Sequence, residues 1–346
     1  MNLSKQLINW YTDNKRDLPW RNTTNPYFIW LSEIILQQTQ VVQGLPYYTA
    51  FTTNYPTVFD LANADEQDVL KLWQGLGYYS RARNLHASAK YIVNELNGQF
   101  PDTFEDILKL KGVGDYTASA IASICFNQIT AVVDGNVYRA LSRIYGIETA
   151  INTGKGFKEF KALAQQLIDV KQPAAFNQAI MEFGARLCKP KNPDCNICPF
   201  NTVCVALQKG TISELPVKLK ANKVTKKHFN FIVILSKDNK TIIEQRQGSG
   251  IWQNLYQFPL IETEKEATHE VIVNEIENLD ILKDATFDVS LYNDKVIVHK
   301  LSHQHLNTKF WIISLDQELS KGVSLNQIKD YPVPILIGNF IEKFNF

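Results

Sequence analysis

The stretch Leu110-Lys-Gly-Val-Gly-Asp-Tyr-Thr117, followed by Val133-Asp-Gly-Asn136, carries the strongest indication of the fold of this chain. Gly112 and Gly114 permit a tight turn and leave free N–H groups at the start of a helix, predicted over residues 116–123. The N-terminus of a helix favours anions, including the phosphates of nucleic acids. On its own, however, Gly-x-Gly is more often a plain turn between two structural helices.

The composition of the 346 residues is that of an ordinary globular protein, with 45% hydrophobic and 21% charged residues. This length allows two or three domains with hydrophobic cores. A net charge of +1 does not indicate nucleic acid, so phosphate binding must depend on backbone amides and a few placed side chains. The sequence has no signal-peptide pattern and no apolar run of bilayer length, so we expect a cytoplasmic protein without membrane contact.

The apolar pattern divides the chain in two. The first 210 residues are predicted to be almost wholly helical, with apolar side chains at three- and four-residue spacing through residues 79–97 and 157–168. Residues 217–227 are rich in lysine and lack a core pattern, which predicts a basic linker. Residues 229–235 and 241–246, around a polar turn, predict a strand, a turn and a strand. We therefore expect an α-helical domain before the linker and a smaller α/β domain over residues 228–346.

Four cysteines lie within one short, proline-containing segment: Cys188, Cys195, Cys198 and Cys204. In a cytosolic chain such a cluster favours metal or iron–sulfur ligation over disulfides. Structural zinc and an iron–sulfur cluster both take four cysteines, so the spacing leaves these two open. Cys125 lies in an apolar stretch and is expected to be part of the core.

One carboxylate interrupts a helix that is apolar on nearly every side. The helix is predicted from Tyr27 to about Gln43, and the side chains three or four positions from Glu33 are apolar. Burial raises the pKa of a carboxyl group, which suits a general acid near neutral pH. The structural alternative is a glutamate that reaches solvent or pairs with an arginine.

A second carboxylate, Asp134, follows in a Gly/Asn turn. An acid of raised pKa and a second carboxylate are the pair that cleaves glycosidic bonds, and the bond between a nucleobase and deoxyribose is of that kind. The acid protonates the base, and the carboxylate stabilises the oxocarbenium-like sugar. Glu33 and Asp134 fit these roles, with Asn136 and Tyr116 as local polar support.

Residues 110–114, residues 133–137 and the cysteine quartet together resemble the helix-hairpin-helix DNA glycosylase superfamily with a [4Fe-4S] cluster. Further motifs resemble those of the MutY-type adenine DNA glycosylases: Leu18-Pro-Trp-Arg21, Trp30-Leu-Ser-Glu-Ile-Ile-Leu-Gln-Gln-Thr39 and Gly75-Leu-Gly-Tyr-Tyr-Ser-Arg-Ala-Arg-Asn84. The resemblance covers most of residues 5–216, and it favours iron–sulfur over zinc.

The resemblance implies a mainly α helix-hairpin-helix glycosylase domain with an iron–sulfur loop at residues 188–204, followed by an α/β Nudix-like domain. Glu33 would protonate adenine, and Asp134 would stabilise or trap the sugar cation, with Tyr116 and Asn136 positioning both. In the related endonuclease III enzymes the counterpart of Tyr116 is a lysine that forms a Schiff base, so we expect weak or no strand cleavage here. The implied DNA contacts are Arg21, Leu36, Gln38, Thr39, Tyr78 (as a wedge), Gly112 and Gly114.

The C-terminal domain resembles the Nudix-like domain with which MutY-type proteins read 8-oxoguanine opposite adenine. The family's Phe-Ser-His motif is Leu301-Ser302-His303 in this chain, so the aromatic residue is lost while the Ser302 hydroxyl remains for the lesion. The resemblance also implies that Ser302 and His303 contact DNA, and His303 is expected to be structural or solvent-facing rather than catalytic. Residues 262–280 lack the acidic pattern of a Nudix hydrolase, so no pyrophosphatase activity is expected.

The sequence therefore predicts a monofunctional glycosylase that excises adenine mispaired with 8-oxoguanine or guanine in double-stranded DNA, acting as a monomer. Two alternatives stay open. One is a glycosylase of the same fold for another mismatched base, such as thymine. The other is an iron–sulfur DNA-binding protein without catalytic activity.

Overall fold

A computed structural model describes residues 3–220, 224–279, 282, 285–344 and 346. The chain divides into two compact units. The first comprises Met1–Asn63 and Asn84–Lys220, and the second comprises Ala64–Arg83 and Ala221–Phe346. The second unit therefore includes a segment from the middle of the helical sequence, which the apolar pattern did not indicate.

Helices make up the regular structure before residue 210. They are α1 (Leu3–Asn14), α2 (Pro26–Leu36), α3 (Val41–Asn54), α4 (Val58–Asn63), α5 (Glu66–Leu72), α6 (Ser80–Glu95), α7 (Phe104–Ile107), α8 (Asp115–Phe126), α9 (Gly135–Tyr145), α10 (Gly154–Leu167), α11 (Pro173–Arg186) and α12 (Val205–Lys209). Of these, α5 and the first turn of α6 belong to the second unit. None of the helices in the described residues combines the length and apolar character needed to cross a membrane.

The core of the first unit is formed by apolar side chains of α1, α8, α9, α10 and α11. Leu7, Val137, Phe160 and Phe183 are among its members, and each is almost completely removed from solvent. This packing fixes the N-termini of α8 and α9, which carry three of the predicted catalytic residues, Tyr116, Asp134 and Asn136.

The helix predicted from Tyr27 to Gln43 is wrong in its extent. α2 begins where the Asn25 side chain accepts a hydrogen bond from the Tyr27 N–H, and it ends at Leu36. Gln38 then takes the left-handed conformation, with φ of 55°, before α3 begins. The apolar pattern gave no sign of this break because Val41 and Val42 continue it.

The predicted glycine turn is confirmed between α7 and α8. Gly112 has φ of 81°, and Gly114 is the residue that precedes the first turn of α8. A Cβ atom at Gly112 would lie 2.8 Å from the Asn84 side chain, so both the conformation and the close approach require glycine.

The second unit is built on a mixed sheet. Its strands are β1 (Thr225–Ser236), β2 (Lys240–Thr241), β3 (Glu244–Gln245), β4 (Tyr256–Gln257), β5 (Leu260–Thr263), β6 (Phe287–Leu291), β7 (Ile297–Lys300), β8 (Gln304–Leu315) and β9 (Val323–Ser324). The order of the main sheet is β5-β1-β8-β6, and β7 also pairs with β8. The helices of this part are α13 (His269–Glu277) and α14 (Ile335–Phe344).

The strand, turn and strand predicted over residues 229–246 are present as β1, the turn that follows it, and the short strands β2 and β3. β1 pairs parallel to β8 along its whole length and antiparallel to β5, whereas β2 pairs with β9. The long parallel match with β8 is a non-local contact, which a local turn pattern does not reveal. The predicted linker covers residues 217–227. In the structure β1 begins within it, at Thr225, and the Val217 carbonyl near its start accepts a hydrogen bond from the Ile151 N–H. Residues 221–223 lie outside the described residues.

The segment Ala64–Arg83 is held to the rest of the second unit by polar contacts. Asn254 donates to Glu66 Oε1 at 2.6 Å, and Arg83 donates to the Gln253 carbonyl at 2.9 Å. The Tyr79 hydroxyl donates to the Val333 carbonyl at 3.3 Å. These bonds explain why a stretch between two helices of the first unit clusters with residues far along the chain.

Candidate active site and cysteine cluster

Glu33 lies on α2 with only 9% of its surface exposed. Burial raises the pKa of its carboxyl group to about 7, and the nearby charge of Asp134 acts in the same direction. A hydrogen bond from Tyr116 and the charge of Arg21 oppose the shift. Glu33 therefore holds a proton near neutral pH, as a general acid must.

Asp134 caps the N-terminus of α9. Its Oδ1 accepts the N–H groups of Asn136 at 2.9 Å and Val137 at 2.8 Å, while its Oδ2 accepts Asn136 Nδ2 at 2.7 Å. Burial raises the pKa of this carboxyl group, and the three hydrogen bonds act against that rise. Because its oxygens accept N–H donors at a helix N-terminus, Asp134 is suited to be the anion of the pair.

Tyr116 lies in the first turn of α8, and its hydroxyl interacts electrostatically with the carboxyl groups of Glu33 and Asp134. Burial raises the pKa of its hydroxyl well above the ordinary value, and the charges of Glu33 and Asp134 raise it further. The hydroxyl is therefore protonated at neutral pH; it is a hydrogen-bond partner of Glu33 and also lies 3.1 Å from Met181 Sδ.

The four predicted catalytic residues, Glu33, Asp134, Tyr116 and Asn136, line one cavity of about 550 Å³ in the first unit. These residues lie on α2 and at the N-termini of α8 and α9, which are far apart in the sequence, and the packing of the helices brings them together. The cavity wall also contains Trp20, Arg21, Leu36, Thr39, Gln178 and Met181. A cavity with an acid, an anion and apolar walls can accept a flat, partly polar molecule.

The structure places Arg21 in the cavity wall, in a buried ion-pair network. Its guanidinium group donates to Glu182 Oε2 at 2.7 Å and to the Arg16 carbonyl at 3.0 Å. Burial opposes ionisation of Glu182, but hydrogen bonds from Arg16 and Arg21 hold its pKa at about 2. Arg21, which was predicted to contact DNA, thus donates its hydrogen bonds to a buried carboxylate. The sequence analysis did not identify Arg16 and Glu182.

The other predicted DNA contacts of the first unit lie at two turns. Leu36 and Thr39 border the cavity at the break between α2 and α3, and Gln38 is exposed there. Gly112 and Gly114 are exposed at the hairpin that leads into α8.

Two predicted DNA contacts of the second unit touch each other. Tyr78 has a left-handed backbone, with φ of 48°, and 48% of its surface is exposed. Its hydroxyl lies 3.2 Å from Ser302 Oγ. Ser302 and the exposed His303 form the tip of the turn between β7 and β8, closed by a hydrogen bond from Leu301 N–H to the Gln304 carbonyl.

All four predicted cysteine ligands line a single pocket beside Arg143 and Phe183. Arg143 Nη1 lies 3.5 Å from Cys188 Sγ, and the Phe200 N–H lies 3.4 Å from Cys198 Sγ. Within the described residues, no three His, Cys, Asp or Glu side chains converge closely enough to hold a single metal ion. Four thiols around one pocket are a donor set that a structural zinc ion and an iron–sulfur cluster can both use.

Arg139 connects the cysteine loop to the candidate active site, and sequence reasoning missed it. Its Nε donates to the Cys188 carbonyl at 2.7 Å, and its Nη2 donates to Asn136 Oδ1 at 2.8 Å and to the Gly184 carbonyl at 2.6 Å. Asn136 in turn donates to Asp134. The local signal was the position of Arg139 one helical turn after Asn136. Its partners far along the chain are Gly184, which lies on α11, and Cys188, which follows that helix.

A helix-hairpin-helix unit with a buried acid and a capped carboxylate in one cavity defines a base excision DNA glycosylase. Residues 31–167 match the family model described as "HhH-GPD superfamily base excision DNA repair protein", and residues 230–343 match "NUDIX domain". The expected fold class, an α glycosylase domain followed by an α/β Nudix-like domain, is confirmed.

Named relatives extend the match to nearly the whole chain. The adenine DNA glycosylase of Buchnera aphidicola subsp. Baizongia pistaciae (strain Bp) is 34% identical over 350 residues, covering 98% of this chain and 96% of that protein. The adenine DNA glycosylase of Rattus norvegicus is 33% identical over 374 residues, covering 93% and 72%. A solved thermostable thymine-DNA glycosylase has a TM-score of 0.56 and 29% identity, covering 60% of this chain and 95% of that one. The chain belongs to the adenine DNA glycosylase family.

Proposed function

We propose that this protein hydrolyses the N-glycosidic bond of adenine mispaired with 8-oxoguanine or guanine in double-stranded DNA. One observation carries the proposal. Glu33, whose pKa is about 7, and Asp134, whose oxygens accept three N–H donors, line the same cavity. An acid and an anion on the same cavity are what the cleavage of a base from its sugar requires.

The reaction begins with adenine out of the base stack, because the bond cannot be reached inside a duplex. Glu33 transfers its proton to a ring nitrogen of adenine. The bond between C1′ and the base then breaks, its electron pair leaves with adenine, and positive charge develops on the sugar. Asp134 stabilises or traps that cation until water adds to C1′, and the proton released by the water restores Glu33.

The positioning roles belong to Tyr116 and Asn136. The Tyr116 hydroxyl is a hydrogen-bond partner of Glu33, and the Asn136 side chain holds one oxygen of Asp134. Neither has an amine, so neither can form a Schiff base with the opened sugar. The proposed enzyme is therefore monofunctional, with weak or no strand cleavage.

The cysteine pocket is proposed to hold a [4Fe-4S] cluster on Cys188, Cys195, Cys198 and Cys204. The thiols share one pocket, and N–H donors lie within 3.5 Å of two of them. When bound, the cluster supplies a covalent cross-link for the loop and a redox-active centre. Arg139 connects that loop to Asn136.

DNA contacts are proposed for turn residues of each unit, taken separately. Gln38 and Thr39 reach base edges beside the cavity mouth, and the amides of Gly112 and Gly114 bind phosphate. Tyr78 fills the gap that a flipped base leaves, as apolar or aromatic wedges do. In this proposal Arg21 acts through the cavity wall that it forms with Glu182.

The lesion is proposed to be read by the turn between β7 and β8. Ser302 is exposed at its tip and offers a hydroxyl to the edge of 8-oxoguanine, while the adjacent His303 is exposed as well. Leu301 replaces the aromatic residue of the related motif, so apolar contact there comes from an aliphatic side chain.

A base-release assay tests the function. Duplexes with adenine opposite 8-oxoguanine, guanine or thymine, and thymine opposite guanine, are incubated with the protein and treated with or without alkali. We expect adenine release from the first two and strand breaks only after alkali. Release of thymine alone would establish the same-fold alternative, and binding without any release would establish the non-catalytic one.

The cluster and the assembly are tested by composition. Iron and acid-labile sulfide are expected in the purified protein, and zinc without iron would refute the cluster. Light scattering is expected to give the mass of a monomer, and the protein is proposed to act in the compartment that holds DNA.

A further inference from the structure

The register of the sheet in the second unit brings three basic side chains into one row. Lys226 on β1 pairs with His305 on β8, and His305 pairs with Lys300 on β7. Side chains of paired residues point to the same face, about 4.8 Å apart from strand to strand. Lys226 and Lys300 are exposed, and His305 is partly exposed.

Acidic neighbours do not neutralise this row. The ion pairs of the described residues do not include Lys226 or Lys300. Glu266 approaches the same face but pairs with Lys309 at 2.8 Å, and Glu262 pairs with Lys227 on the opposite face at 3.1 Å. Lys226 and Lys300 thus lie on one face, one on each side of His305, and neither is in an ion pair of the described residues, so this face favours an anion placed between the two ammonium groups.

The row of Lys226, His305 and Lys300 lies next to the tip of the turn between β7 and β8, where Ser302 is located. Lys300 is the last residue of β7, two positions before Ser302, and Thr225, next to Lys226, donates its N–H to the His303 carbonyl at 3.2 Å. The tip also contacts Tyr78. A DNA duplex that contacts Ser302 and Tyr78 therefore passes close to Lys300 and Lys226.

We propose that the basic row, Lys226, His305 and Lys300, binds backbone phosphates of the DNA strand that Ser302 contacts. The proposal rests on the proposed function for its choice of ligand. Lysines carry the sequence-independent, salt-dependent part of DNA affinity, and in a chain with a net charge of +1 two lysines close together on one face are a local source of it. Phosphate binding by the row would hold the strand while the tip examines a base.

The test is the salt dependence of binding to a duplex with adenine opposite 8-oxoguanine. The double variant Lys226→Ala/Lys300→Ala is compared with Lys237→Ala/Lys321→Ala, which removes the same charge near the far end of β1, roughly 35 Å away. We expect the first variant to bind on the order of tenfold more weakly at low salt, with a log–log salt slope reduced by about 2. The control variant is expected to match the wild type.

A slope unchanged from the wild type in the first variant would overturn the basic row, and so would an equal change in the control. Thermal melting of both variants checks the fold, and Lys226→Gln/Lys300→Gln replaces the alanine variant if that one melts early. Failure of the proposed function has a different signature, since a wild-type protein that binds the duplex and releases no adenine refutes the chemistry while leaving the salt slopes interpretable.

Discussion

Asn136 Nδ2 donates a hydrogen bond of 2.7 Å to Asp134 Oδ2, while the Asn136 backbone N–H donates to the other oxygen at 2.9 Å. One residue thus satisfies both oxygens of the proposed anion. The consequence is a carboxylate whose orientation is fixed before any substrate arrives, which is the condition for stabilising a developing cation without reorganisation.

Replacement of Asp134 by asparagine separates the charge from the cap. Asparagine is as good an N-cap as aspartate, so the stability of Asp134→Asn should stay within about 1 kcal/mol of the wild type. The anion is lost, so we expect the single-turnover rate of adenine release to fall by at least about 10²-fold. A rate within threefold of the wild type would show that the anion has no role.

The buried acid makes stability depend on pH. The folded-state pKa of Glu33, about 7, lies above its ordinary value, so the folded chain binds this proton more tightly than the unfolded chain. That stabilisation is present at pH below the ordinary value and is lost as the pH rises through about 7. Relative to Glu33→Gln, the wild type should lose on the order of 3 kcal/mol of unfolding free energy between pH 4 and pH 8. Denaturant titrations at the two pH values measure it, and parallel curves would contradict the burial of Glu33.

Arg139 is predicted to act as a positioning residue. Arg139→Gln loses charged hydrogen bonds to the carbonyl groups of Cys188 and Gly184 and to the Asn136 side chain, which should cost about 3 kcal/mol of stability. We also expect a slower adenine release and less iron per chain, because the same side chain serves both sites. Arg186→Gln, at the end of the neighbouring α11, is the matched control and should change neither. Normal iron content together with a normal rate in Arg139→Gln would contradict the connection.

Tyr116→Lys tests why the proposed enzyme does not cut the strand. Its amine would lie in the cavity beside Glu33 and Asp134, where it can attack the opened sugar. We expect strand breaks without alkali and a covalent protein–DNA product after borohydride treatment. Tyr116→Phe is the control, and it should give neither. If the lysine variant also gives neither, the position of Tyr116 relative to the sugar is not the one proposed.

The proposed catalytic pair was found in the sequence because its signals are local. A carboxylate among apolar residues on one helix indicates burial of Glu33 without knowledge of its partners, and Asp134 is conspicuous as a carboxylate in a Gly/Asn turn. The cap that Asp134 forms at the start of α9 was not predicted. The glycine hairpin is equally local, since the left-handed conformation at Gly112 belongs to the residue itself.

The structural features that could not be predicted from the sequence depend on contacts between distant segments of the chain. The break after Leu36 is set by tertiary packing, and Val41 continues the apolar pattern across it. The bond from Arg139 to Cys188 joins residues whose neighbourhood arises only when α9 and α11 pack. Ala64–Arg83 belongs to the second unit through hydrogen bonds to residues far along the chain. The spacing of apolar residues cannot predict such bonds.

The most direct measurement is single-turnover release of adenine from a duplex with adenine opposite 8-oxoguanine, by the wild type and by Glu33→Gln. The amide has the size of the carboxylic acid but cannot transfer its proton. The account predicts that Glu33→Gln binds the duplex within a few-fold of the wild type and releases no adenine. Release at the wild-type rate would contradict the central claim that the buried carboxyl group of Glu33 is the proton donor.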